Sequence, residues 1–493
     1  MPRVAAGLLV FVTSAAVLVL EILAGRLLAP YVGVTLETYT GIIGTVLAGI
    51  SLGAWLGGRA ADRLDPRRTL GPLLILGGTL ALCTVPAIRL FGAAQLGSGP
   101  VAIVMLAAVG FFGPATALSA VSPIVVKLQL ADLGETGRVV GWLSALGTAG
   151  AIFGTFATGF VLVATVPTTP IVIGVGALLV GAGLLLWAWL GRGGRPPTGL
   201  LVLAVLSGLL AFVLPSPCEF ESPYFCAWVE PDPSRATGRT LWLDRVRNSY
   251  VDLADPTHLE FTYTQIIGDV IATVVPEGAG GAGGHRLEAL HIGGGGFTLP
   301  RYLAAVRPGS FSRVLELDPT IVRIARTELG LKTGPELQVR IGDARISLAA
   351  EPAGRYDLVI GDAFSGVVVP WHLVTVEFVE EIRRAMTPDG IYVLNLIDHP
   401  PLAFARAEVA TLRREFAHVA VIAPPALFAE AAGGNIVVVA SSAPFDAGAI
   451  QARNHARGDD DLVVSNDTAL DAFVTSAPVL TDDYAPVDQL LAT

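Results

Sequence analysis

LEALHIGGGGFTLPRYL, residues 287–303, decides the fold of the second half of this chain. An apolar run of strand length ends at Ile292, four glycines follow, and a helix is predicted from about Pro300. A glycine turn between strand and helix lets backbone approach a ligand closely and points a helix N-terminus at it. That is the usual form of a nucleotide cradle.

Outward from this turn, strands and helices alternate. RVLELD (313–318) is predicted as the next strand, with a helix from Pro319 to about Leu329. LQVRIGD (337–343), YDLVIGD (356–362) and IYVLNLI (391–397) follow as strands, with a helix near 371–387 before the last of them. VAVIAP (419–424) and NIVVVAS (435–441) supply end strands. Alternation of this kind implies a doubly wound α/β, Rossmann-like sheet. Upstream, residues 237–271 read as short strands and turns and then a helix start, and EGAGGAGGHR (277–286) reads as a flexible linker.

In a doubly wound sheet, ligands bind at the carboxyl ends of the strands. Gly293, Gly294 and Gly295 lie after the first strand, Glu316 and Asp318 at the end of the second, Asp343 after the third and Asp362 after the fourth. Glu316 falls 21 residues past Gly295, the spacing at which an acid accepts hydrogen bonds from ribose hydroxyls. Each feature alone is weak; four strand ends in register, three of them carrying carboxylates, form a constellation.

The first 215 residues have another composition. They hold 11 of the chain's 32 Lys+Arg and 6 of its 42 Asp+Glu, leaving 21 and 36 for residues 216–493. Mean hydropathy over the chain is +0.64, far above that of ordinary soluble proteins. Apolar runs of spanning length occur near 5–28, 39–58, 70–92, 100–126, 139–165, 168–191 and, at 17 residues only, 198–214. The expected organisation is an α-helical membrane bundle of about seven spans over 1–215, a linker and small β segment over 216–276, and the Rossmann-like domain over 277–493. Basic residues gather in three loops, at Arg59–Arg68, at Lys127 and Arg138, and at Arg192 and Arg195. The positive-inside rule puts those loops and the N-terminus in the cytoplasm of a multi-pass cell-membrane protein. If the seventh run spans, the soluble half is extracytoplasmic; if it lies in the interface, that half is cytoplasmic. Cys218 and Cys226, eight apart in a chain with one other cysteine, are a disulfide candidate and favour the external side. The acidic soluble half argues against nucleic acid as a partner, and no metal-ligand pattern appears among the scattered histidines.

The motifs of residues 237–400 resemble those of spermidine synthases, polyamine aminopropyltransferases with a methyltransferase-type Rossmann fold. The resemblance rests on the glycine turn, Glu316-Leu317-Asp318, Gly342-Asp343, and Leu373-Val374-Thr375-Val376-Glu377-Phe378 at a helix start. Fusion to a membrane bundle, with the tail TDDYAPVD (481–488), resembles a bacterial branch described as fused transporter–spermidine synthase. The loop GGRAADRLDPRR (57–68) also resembles the loop between helices two and three of major-facilitator transporters.

The resemblance implies decarboxylated S-adenosylmethionine, or S-adenosylmethionine, as co-substrate and a small amine such as putrescine as acceptor. It implies that the glycines face the methionine-derived chain, Glu316 the ribose, Asp343 the adenine amine, and that Asp362 is the general base. Tyr263, Glu260, Ser365 and His372 are the candidates around the amine, and a homodimer is implied by soluble members. The chain departs from the pattern at Gly296-Phe297-Thr298, where the family carries Asp-Gly-Gly, at Ser365, where it carries a second acid, and at Gln265, where it carries a glutamate. Transfer to a non-polyamine acceptor, or a non-catalytic module that senses or transports polyamines, therefore stands beside aminopropyl transfer.

Overall fold

The computed structural model describes residues 1–33, 35–94, 99–130, 133–190, 197–274, 286–364, 366 and 368–491. The predicted linker lies almost wholly outside these residues, as do Arg192, Arg195 and Ser365. The chain forms two compact units, Met1–Trp228 and Val229–Thr493.

Among the described residues of the first unit, six helices are long and apolar enough to cross a membrane: Arg3–Val32, Leu36–Arg63, Pro66–Gly92, Pro100–Gln129, Thr136–Thr165 and Thr168–Leu190. Glycines set how they pair. A Cβ on Gly53 would stand 2.2 Å from the Thr116 carbonyl oxygen, and one on Gly150 equally close to that of Phe11. Such contacts need bare backbone, the means by which helices associate where lipid removes the hydrophobic drive. Gly49, Gly53 and Gly57 meet Ala115, Thr116 and Ala120 in ascending order, so the second and fourth helices run parallel. Gly150 and Gly154 meet Phe11 and Ala15, so the first and fifth do too. Gly71 meets Trp187 and Gly78 meets Gly176, so the third and sixth are antiparallel. Gly77 meets Leu118 and Gly110 meets Ile88, so the third and fourth are antiparallel as well.

The seventh apolar run, where a further span was expected, forms a shorter helix of 16 residues, Thr198–Val213. It lies along the third helix and parallel to it. Thr79 Oγ1 donates to the Leu200 carbonyl (3.4 Å), Cys83 Sγ and Ser207 Oγ are 2.9 Å apart, and Arg89 Nη1 donates to the Ala211 and Leu214 carbonyls (2.5 and 3.2 Å). Its C-terminus thus reaches the end of the bundle opposite the Arg59–Arg68 loop. There Cys218 and Cys226 are joined by a disulfide, and β1 (Phe220–Glu221) pairs antiparallel with the start of β2 (Cys226–Pro231). Glu221 accepts from the Thr169 amide (3.1 Å) at the start of the sixth helix, and Arg26 Nη2 donates to the Ser222 carbonyl (2.5 Å). The hairpin is tied to the bundle at two helix ends.

After the end of β2, the second unit continues with the antiparallel hairpin β3 (Gly238–Leu243) and β4 (Val246–Asp252), followed by the helix Thr262–Val274. Its main sheet takes in β5 (Glu288–Ile292), β6 (Phe311–Glu316), β7 (Leu337–Ile341), β8 (Tyr356–Gly361), β9 (Met386–Asp398), β10 (His418–Ala423), β11 (Gly434–Ser441) and β12 (Leu462–Val464). Among the described residues the order is β12-β10-β11-β9-β8-β5-β6-β7. The pairs from β9 through β7 are parallel; β11, β10 and β12 extend that edge antiparallel. β5 and β8 are buried nearly throughout, as continuous apolar runs in a sheet covered on both faces must be. Leu290, Ile292 and Val359 pack with Phe378, Val379 and Leu412 on one face, while Ala289, Leu358 and Ile360 pack with Ile267, Leu303 and Ile450 on the other. All seven predicted strands are present; β12 was not foreseen, being three residues long with little apolar signal. The strand order reverses beside β5, and the crevice at that switch point is where such sheets bind ligands.

Candidate active site

The chain leaves β5 through Gly293, whose φ of +94° excludes most side chains and whose Cβ would fall 2.3 Å from the Asp362 carbonyl oxygen. The Gly293 amide donates to the Leu315 carbonyl and the Asp362 amide to that of Ile292, both at 2.9 Å. The ends of β5, β6 and β8 are therefore laced together by backbone, and Asp362 stands directly beside the glycine turn.

Glu316 is buried, and its carboxylate accepts from the amides of Gly294 (2.8 Å), Gly295 (3.4 Å) and Asp318 (2.8 Å). Burial pushes its carboxyl up against the pull of these donors. In this geometry Glu316 braces the turn, with one oxygen receiving both glycine amides. Asp318 is 1% exposed and caps the helix Pro319–Thr327 by accepting from the Thr320 amide (2.8 Å); its Oδ2 is buried without a partner among the described residues.

The departure at Gly296-Phe297-Thr298 is absorbed by packing. Phe297 takes a left-handed conformation (φ 58°), is fully buried, and sets its ring against Gly294. The Gly296 amide donates to Ser249 Oγ (2.9 Å) and Thr298 Oγ1 to the Tyr250 carbonyl (2.8 Å), so the turn is pinned to β4.

Asp343 Oδ1 accepts from the Ile346 amide (3.1 Å), and its Oδ2 lies 3.2 Å from His372 Nε2. The sequence offered no partner for His372; the fold supplies Asp343, and Trp371 stands edge-on to the imidazole at 5.7 Å. Leu317, Ile341 and Ile346 are exposed near these strand ends, at 44%, 53% and 74%. Three exposed aliphatics beside a carboxylate fit a flat heteroaromatic ring carrying an amino group.

Asp362 is partly buried and held on both oxygens. Tyr263 Oη donates to Oδ2 (3.2 Å) and Asn395 Nδ2 to Oδ1 (2.9 Å). Burial raises its carboxyl from 3.8 to about 6 in spite of these two donors. A carboxyl poised near neutrality in a crevice, beside a backbone turn built for close approach, can take a proton from a bound nucleophile.

Among the other predicted residues, Glu260 is exposed and pairs with His258 (3.1 Å). Gln265 is tied elsewhere: its Nε2 donates to the Leu259 carbonyl (2.7 Å), and its Oε1 accepts from Arg457 (2.6 Å), which also bridges to Asp269. The sequence reading missed Asn395, although an asparagine inside the apolar strand IYVLNLI is itself a signal, since a buried amide needs partners.

It also left the tail motif unexplained. Asp482 receives both Nη atoms of Arg345 (2.8 and 2.5 Å) and the Thr375 hydroxyl (2.7 Å), while Arg345 Nη1 also donates to the His372 carbonyl (2.9 Å). Partial burial opposes ionisation of Asp482, yet Arg345 and Thr375 hold it below the ordinary carboxylate range. The Val376 amide donates to the Leu480 carbonyl (2.9 Å), completing a strap from the C-terminal tail to the segment bearing His372. Asp482→Ala removes the bidentate pair and is expected to raise amide hydrogen exchange over 371–378 about tenfold, the equivalent of one charge-assisted bond. Unchanged exchange there would contradict the strap.

No family model matches the chain. It is 34% identical over 108 residues to the polyamine aminopropyltransferase of Vibrio vulnificus, covering 22% of this chain and 36% of that protein. It is 35% identical over 141 residues to polyamine aminopropyltransferase 2 of Streptomyces coelicolor, covering 27% and 25%. The chain is similar to polyamine aminopropyltransferases. It is also 27% identical over 122 residues to the human eEF1A lysine and N-terminal methyltransferase, covering 22% and 18%. These relatives are all transferases, and the chain spans well under two thirds of the length of each. A probable spermidine synthase of Corynebacterium glutamicum has a solved structure that superposes with a TM-score of 0.48 at 30% identity, covering 52% of this chain and 94% of that one.

Proposed function

We propose that this chain is a membrane-integral, spermidine synthase-like transferase that moves the aminopropyl group of decarboxylated S-adenosylmethionine to an amine such as putrescine. The observation that carries the reading is Asp362: a carboxyl raised to about 6, held by Tyr263 and Asn395, and set against the Gly293 turn at the switch point of the sheet. The similarity to polyamine aminopropyltransferases supports it. The amine nitrogen bonds to the carbon beside the sulfonium, the carbon–sulfur bond breaks, methylthioadenosine leaves, and the ammonium proton passes to Asp362. Gly293–Gly295 would face the methionine-derived chain; Leu317, Ile341, Ile346 and Asp343 would receive the adenine. Alignment of nucleophile and leaving group supplies the rest of the acceleration.

A specific observation favours a second acceptor class. Gln265 is committed to Leu259 and Arg457, and the acid expected at 365 is a serine, so fewer carboxylates are available to pair with a dication. An acceptor with a single amine, or methyl transfer from S-adenosylmethionine, fits that deficit. Incubating the full-length protein in detergent with either donor and a panel of amines separates the readings by mass. Methylthioadenosine with an aminopropylated amine supports the first; S-adenosylhomocysteine with a methylated product supports the second. Absence of binding by either donor and by methylthioadenosine would overturn both and leave a non-catalytic polyamine sensor or transport module.

The reading includes an extracytoplasmic soluble unit. The disulfide hairpin closes the bundle end opposite the Arg59–Arg68 loop, and only two residues separate Cys226 from Val229, where the second unit begins. Basic loops mark the cytoplasmic side, and a disulfide persists in an oxidising compartment. Ala472→Cys, at an exposed position, is expected to react with a membrane-impermeant maleimide in intact cells. Labelling only after permeabilisation would reverse the orientation.

A further inference from the structure

Asn435 lies on β11, 73 residues beyond Asp362 and two strands away from it. In the antiparallel register of β9 and β11, Asn395 faces Val437, so Asn435 is its diagonal neighbour on the same face. Asn435 Nδ2 donates to Asn395 Oδ1 at 3.0 Å, and Asn395 Nδ2 donates to Asp362 Oδ1 at 2.9 Å. Asn395 is 2% exposed.

A carboxamide has one donor end and one acceptor end. Left alone, Asn395 can turn either end toward Asp362, and a protonated Asp362 accepts the oxygen end readily, since its own hydroxyl then donates. Asn435 removes that choice by donating to the oxygen. We infer that Asn435 is a positioning residue for the base: its amide fixes Asn395 with the N–H end toward Asp362 and so favours the ionised carboxylate. The inference rests on Asp362 being the base, as proposed above. The other contacts of Asp362 do not supply this bias. Tyr263, from the helix Thr262–Val274, is the titratable neighbour that bonds it, and on the β5 side the neighbour is Gly293 backbone. No charged side chain among the described residues hydrogen-bonds the Asp362 carboxylate.

The test compares wild type with Asn435→Asp and Asn435→Leu in the full-length protein. An aspartate at 435 accepts from Asn395 and turns its oxygen toward Asp362. A leucine leaves Asn395 unconstrained without adding charge. The acid limb of kcat/KM against pH is expected to move upward by about one pH unit in Asn435→Asp and by about half as much in Asn435→Leu, with donor KM unchanged. At pH 6 this is roughly a twofold to fivefold loss. A shift in Asn435→Leu, which adds no charge, separates loss of the positioning bond from a through-space effect of the new carboxylate. A second readout needs no turnover: the protonated-carboxyl infrared band, assigned by its loss in Asp362→Asn, should titrate at correspondingly higher pH in both variants. A shift in the infrared titration without product from wild type would remove the proposed reaction and keep the relay. An unmoved acid limb and an unmoved infrared titration in both variants would overturn the relay. So would a change in KM alone.

Discussion

Asp362→Asn is expected to abolish turnover while the donor still binds. The asparagine keeps the size of the side chain and the contacts with Tyr263 and Asn395 in part, but it cannot accept a proton. General-base catalysis contributes roughly 10²–10⁴-fold, so kcat should fall by that factor, with the dissociation constant of methylthioadenosine changed by less than about threefold. The wild-type pH profile carries the same signature. Asp362 is raised from 3.8 to about 6, so the base is ionised above that value and activity falls as pH drops through it. That acid limb disappears with the carboxylate. Retention of full activity by Asp362→Asn would remove Asp362 from the chemistry.

The second large effect concerns stability. Glu408, on the helix Ala403–Glu415, is completely buried, and neither carboxylate oxygen has a partner among the described residues. Burial pushes its carboxyl well above the ordinary 4.5. The sign follows from linkage. Below about 4.5 the folded and unfolded states both hold the proton, and the cost of burying Glu408 no longer varies with pH. As pH rises past 4.5 the unfolded chain releases the proton while the folded state keeps it, so stability declines with pH. Glu408→Met fills similar volume without a polar group and should stabilise the second unit by about 1–3 kcal/mol at pH 7. It should also flatten the pH dependence above 4.5. Hydrogen exchange of the β9, β10 and β11 amides in the full-length protein measures both. Faster exchange in Glu408→Met at pH 7 would mean that the carboxyl has a stabilising partner in solution.

The two substitutions contrast a polar group to which the proposed function gives a chemical role with one whose retention the fold does not explain. Asp362 is partly buried and served by two donors in a crevice; Glu408 is buried in the core with none among the described residues. Natural chains keep such costs where function requires them, and the proposed function would account for the first only.

Much of this protein follows from short-range pattern. The apolar runs and the turn at Gly293 specify strand, reversal and helix within about fifteen residues, and seven strands fall where the sequence puts them. The change from apolar to acidic composition separates two parts of the chain before any coordinate is known. Asp343 and Asp362 could be named because strand ends in a doubly wound sheet converge by topology alone. The partners of those residues could not. His372 meets Asp343, Arg345 meets Asp482, and Asn435 reaches Asp362 through Asn395 because β11 inserts beside β9, an order no local pattern encodes. The direction of the Thr198–Val213 helix likewise came from Thr79, Cys83 and Arg89 on a distant helix. Strand and helix formation are local events, fixed by the spacing of apolar residues. Hydrogen-bond partnership at the site is settled by packing between segments tens to more than a hundred residues apart.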